Sequence, residues 1–125
     1  MKQFFLLSIV ATILLSSSEC SNKKTTSDKF KGKLEIAGIC MNYTIKVVEG
    51  NIDPSLTEAN WKDETTGKSY SNVFKLGSPC NFPKTIKEGD EFYFTIDTVQ
   101  SKPCNVCMAY YPTPSKVLAI KVSEK

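Results

Sequence analysis

Arginine and histidine are both missing from this 125-residue chain, whose sixteen basic residues are all lysine. Without histidine there is no side chain whose ordinary pKa suits proton transfer near neutrality, and no imidazole for a metal. Without arginine there is no planar fork for reading guanine or clamping phosphate. No glycine-rich phosphate loop is present, and no serine or cysteine nucleophile stands beside a base. Carboxylates such as Asp53, Glu58, Asp63 and Glu88 fall mostly in turns, and no pair is set up as acid and base. The net charge of +3 is spread over interleaved lysines and acids, which describes a solubilising surface and not a basic stripe for nucleic acid. These absences argue against an enzyme of familiar type, a cofactor site or a nucleic-acid partner.

No apolar run is long enough to span a bilayer, which takes about 20 residues. The run that exists, Phe4 to Leu15, follows Lys2 and precedes Ser16, Ser17 and Ser18, the layout of a signal peptide over residues 1–19. Cys20 then stands where a lipid-accepting cysteine would be. The first 22 residues resemble a bacterial lipoprotein signal, except that Glu19 occupies the place of a small residue. Cleavage after Ser18 by the ordinary signal peptidase is the alternative; both routes export the domain. Residues 20–29 are polar and read as a flexible tether, which a lipid on Cys20 would fasten to a membrane. One domain, residues 30–125, remains.

That domain reads as strands. Leu34 and Ile36 alternate with polar residues; after Gly38 the apolar phase switches to Ile39, Met41, Tyr43, Ile45 and Val47. This pattern predicts one long strand over 33–48 with a β-bulge at Gly38, the rival being two strands joined there. Further strands are expected over 57–62, 70–76, 91–97 and 116–122. A polar hairpin connection runs from Asp63 to Lys68, with Gly67 free for a positive φ. Residues 98–115, with three prolines and two cysteines, form a long irregular loop. The expected fold is all-β: a small five-stranded barrel or a compact sandwich. By strand count and bulge it is similar to the barrels that bind oligonucleotides or oligosaccharides.

Setting Cys20 aside leaves Cys40, Cys80, Cys104 and Cys107, an even set that predicts two disulfides in an oxidising compartment. Pairing Cys40 and Cys80 each with one member of the 104/107 pair would tie the long loop to the barrel. Cys104-Asn105-Val106-Cys107 also has the spacing of a redox dithiol, but it lacks the helix N-terminus that activates such thiols. Met41 and Met108 each follow a cysteine, so a soft copper site is a second alternative. Tyr110 and Tyr111 on the loop can contact a ligand or cover the barrel end. Leader, Cys20 and strand pattern together resemble the small exported lipoprotein-type β domains of Gram-negative bacteria. That resemblance implies a cell-envelope setting and no specific activity. Two functions follow as expectations: a non-enzymatic envelope protein binding a protein or small-molecule partner, or a copper-handling or thiol-redox protein.

Overall fold

Alternation along Lys29–Ala37 makes the first strand, β1: Phe30, Leu34 and Ile36 are buried, while Lys31, Lys33 and Glu35 lie on the other face. The structure, a computed structural model, describes residues 29–98 and 104–123. The expected signal peptide, Cys20, the tether up to residue 28 and residues 99–103 of the loop lie outside the described residues.

Strand β2, Tyr43–Glu49, returns antiparallel to β1, with Leu34 opposite Ile45 and Gly32 opposite Val47. The expected single strand over 33–48 is therefore replaced by a hairpin. Cys40 and Met41 take left-handed backbone angles, φ 58° and 62°, inside a 3₁₀ turn over Ile39–Met41. Asn42 completes the reversal by donating to the Ile39 carbonyl from its backbone N–H (3.2 Å) and its side-chain amide (2.8 Å). The switch in apolar phase is thus the signature of a turn. The register slips lie elsewhere, between Lys31 and Gly32 and between Leu34 and Ile36.

Six more strands follow: β3 Trp61–Lys62, β4 Ser69–Tyr70, β5 Val73–Leu76, β6 Glu91–Ile96, β7 Val117–Leu118 and β8 Ile120–Ser123. β3 and β4 form a small separate hairpin whose connection holds Gly67 at φ 74°, as its sequence predicts. The expected strand 70–76 is divided at Asn72, which adopts φ 54°. The other six strands make one mixed sheet in the order β7-β5-β2-β1-β6-β8.

Closure depends on the last segment, which serves both edges of that sheet. β7 runs parallel to β5, with Lys75 and Gly77 donating to the carbonyls of Lys116 and Leu118 at 2.7 and 2.9 Å. β8 runs antiparallel to β6, and Asp97 donates to Ala119 at 2.9 Å. Where β5 has ended, the buried Ser78 side chain replaces a strand partner. Its hydroxyl donates to the Ile120 carbonyl (2.9 Å) and accepts from the Ile120 N–H (3.0 Å). The sheet is thereby nearly closed into a barrel. Its six strands differ from the five expected because the first and last are each divided in two, while the segment 57–62 supplies a strand only to the outer hairpin.

Leu34, Ile45, Phe74 and Phe94 are fully buried inside. Phe94 packs on Phe30 and Phe74 with ring centroids 5.6 and 5.8 Å apart. Phe82, delivered by the proline-flanked segment after β5, meets Phe92 edge-on at 5.3 Å and Tyr43 at 5.7 Å. Burying each such ring contributes roughly 1.5–3 kcal/mol, as does each of the aliphatic side chains packed with them, among them Leu34, Ile45 and Leu76.

Candidate functional site

The segment from Cys104 to Lys116 carries neither helix nor strand, yet it is fastened along its length. Cys104 is bridged to Cys80, after β5, with Cα atoms 5.9 Å apart. Cys107 is bridged to Cys40, in the β1–β2 turn, with Cα atoms 5.0 Å apart. Asn42, besides closing its own turn, donates its side-chain amide to the Ala109 carbonyl at 2.9 Å. The Tyr111 hydroxyl donates to the Asp63 carboxylate at 3.1 Å. The Ser115 N–H and hydroxyl and the Lys116 N–H all donate to one oxygen of Glu58. Two disulfides fit an oxidising environment outside the cytoplasm.

Electrostatics reinforce these anchors. Burial opposes ionisation of Asp63, but donors from Thr65, Tyr111 and Thr66 outweigh it and hold the carboxyl below its ordinary range. Burial likewise opposes ionisation of Glu58, and the Ser115 and Lys116 donors override it. Tyr111 is pushed up, by burial first and then by Asp63, so it remains a donor at neutral pH. Gly38 gives the Tyr111 ring its seat: a Cβ there would lie 3.0 Å from two ring carbons and 2.5 Å from the Asn42 carbonyl oxygen.

Side chains between the anchors point outward. Met108 is 95% exposed, Tyr110 82%, Ile39 59% and Val106 40%. The two tyrosines singled out as ligand contacts therefore part ways: Tyr110 is presented to solvent, whereas Tyr111 is a half-buried strut. Of the methionines, Met41 packs against the core. All four domain cysteines are in bridges, which leaves no thiolate among them for copper or for dithiol exchange. Among the described residues no three Asp, Glu or Cys side chains gather as metal ligands. Trp61, the only tryptophan in the sequence, stacks on Tyr70 in the outer hairpin at 5.9 Å.

A concavity of about 460 Å³ lies elsewhere, against Lys29, Lys31, Glu91, Phe92 and Tyr93. Lysine ammonium groups 5.0 and 5.9 Å from the Tyr93 ring give it a cationic look. Lys31, however, is paired with Glu91 at 3.1 Å and Glu49 at 3.7 Å, so its charge is already answered. Sequence reading missed this cleft because its lining comes from two strands far apart in the chain. It also missed Asn42, Asp63 and Glu58, whose roles as loop anchors depend on partners 48 to 67 residues away. No protein-family model, curated protein or solved structure matches the chain.

Proposed function

We propose that this is a non-enzymatic, exported binding domain that engages a protein partner through Ile39 and the loop 104–110. The carrying observation is the set of four exposed apolar side chains on a backbone held by two bridges and three polar anchors. The bridges stabilise the fold, but stability alone does not call for apolar side chains presented to solvent on the braced segment. For recognition the bracing matters, since an already ordered loop loses little entropy on binding. The barrel is of the oligonucleotide/oligosaccharide-binding type, a reading supported by its connectivity: the closing segment lies between β5 and β6, with β7 parallel to β5 and β8 antiparallel to β6. In such barrels the loops between strands one and two and between strands four and five flank the binding face. Here those are the loops joined by Cys40–Cys107. The leader and Cys20 support a lipid tether in the bacterial cell envelope, with release after Ser18 as the alternative.

Replacing Val106, Met108 and Tyr110 together by serine tests this. The variant should melt within about 2 °C of the parent, since exposed positions change stability little. It should also lose the partner that a photo-crosslinking residue at position 105 labels in intact cells. Equal labelling of parent and variant would remove the loop from the interface.

A further inference from the structure

The way residues 107–111 are fastened specifies what kind of partner they fit. We infer that this loop occupies the active-site cleft of a serine endopeptidase, with Met108 in an apolar primary pocket and Met108–Ala109 at the position of the scissile bond. The inference rests on the loop being the contact surface, and it adds the class of partner.

Three features lead there. Met108 is the most exposed large apolar side chain of the described residues, at 95%, and it projects from a segment without helix or strand. An unbranched thioether suits a deep apolar pocket. The residue before it, Cys107, is bonded covalently to the β1–β2 turn, and the residue after it, Ala109, has its carbonyl held by the Asn42 amide at 2.9 Å. Ala109 is small enough to let a protease surface approach the bond. Two residues further on, the Tyr111–Asp63 hydrogen bond at 3.1 Å and the Tyr111 ring on Gly38 prevent the downstream chain from swinging away.

Such bracing changes the outcome of attack. The protease serine hydroxyl adds to the Met108 carbonyl, and its proton passes through the protease histidine to the Ala109 nitrogen as the C–N bond breaks. In a free peptide the new amine diffuses away and water hydrolyses the acyl-enzyme. Here the Met108 side is tethered through Cys107 and the Ala109 side through Asn42 and Tyr111. The amine remains beside the ester and can attack it, restoring the peptide bond and the serine hydroxyl with no net change in atoms or electrons. High effective concentration of the retained amine favours that return over hydrolysis. A loop bound this way inhibits instead of being consumed. Interfaces between proteases and such inhibitors need little backbone movement, in keeping with a surface already locked by disulfides.

The test titrates the oxidised protein against chymotrypsin, subtilisin and pancreatic elastase, reading residual activity on a small chromogenic peptide. Stoichiometric inhibition of at least one is expected. Met108→Gly should weaken it by at least about 30-fold. Met108→Lys should transfer inhibition to trypsin, an outcome that general destabilisation cannot produce. In Cys40→Ser/Cys107→Ser the Met108–Ala109 bond should be cut and inhibition lost; mass spectrometry locates the cut. Absence of inhibition by the folded parent, or its rapid complete hydrolysis at that bond, overturns the inference. Loss of the cellular crosslink in the loop variants with no protease inhibited would discard the partner class and leave the contact surface standing. A crosslink that persists in those variants, again without inhibition, discards both.

Discussion

Replacing Cys40 and Cys107 together by serine opens the larger of two nested covalent rings, and its cost can be worked from chain topology. The bridges close separations of 67 and 24 residues. Loop-closure entropy of the denatured chain then assigns about 4.4 kcal/mol to the outer ring and about 3.4 kcal/mol to the inner one. Because Cys80–Cys104 already shortens the outer loop when the chain unfolds, the expected loss in the Cys40→Ser/Cys107→Ser variant is about 4 kcal/mol. For a domain of this size that lowers the melting temperature by roughly 15–30 °C. It is a large fraction of the 5–15 kcal/mol or so that single domains possess. Urea unfolding is the assay, since it reports midpoint and slope separately. Releasing the ring lets the denatured chain expand, so the slope should increase as the midpoint falls. The inner pair, Cys80→Ser/Cys104→Ser, should cost about 3 kcal/mol with a smaller change of slope. A loss below about 1 kcal/mol for the outer pair with unchanged slope, or a larger loss for the inner pair, would refute the reasoning.

Three further outcomes are expected. Ser78→Ala should cost about 2–4 kcal/mol in urea unfolding, because it strips both the N–H and the carbonyl of Ile120 of their buried partner. Gly38→Ala should cost about 1–3 kcal/mol, as the new methyl meets the Asn42 carbonyl at 2.5 Å and the Tyr111 ring at 3.0 Å; limited proteolysis should then reach the loop near Tyr111. Asp63, Glu58 and Asp53 all have carboxyls lowered by folding, so the folded protein binds fewer protons than the unfolded chain in acid. Their stabilisation is complete above about pH 5 and declines as pH falls through about 4. Melting temperature followed from pH 6 to 3 should show that decline, and Asp63→Asn should make it shallower.

Strand content was legible wherever alternation ran undisturbed: Phe92, Phe94 and Ile96 marked β6, and Leu118 and Ile120 marked the closing segment. The reversal at Cys40–Met41 was not, because residues that rarely adopt positive φ occupy it and no Asn-Gly or Asp-Gly pair announces the turn. A bulge and a hairpin both shift the apolar phase after Gly38, and only the pairing of Leu34 with Ile45 separates them. On the loop, Tyr110 and Tyr111 are chemically the same side chain. Their division into a presented residue and a strut follows from where Gly38 and Asp63 lie in space.

From the residues alone came a β domain, rich in lysine, with four cysteines suited to pairing, since these depend on composition and on contacts between near neighbours. Only tertiary structure decided how the barrel closes and which loop is braced. Both rest on pairs distant in the chain, such as Ser78 with Ile120 and Asn42 with Ala109, whose hydrogen bonds form only once the sheet has curled and brought the two backbones together.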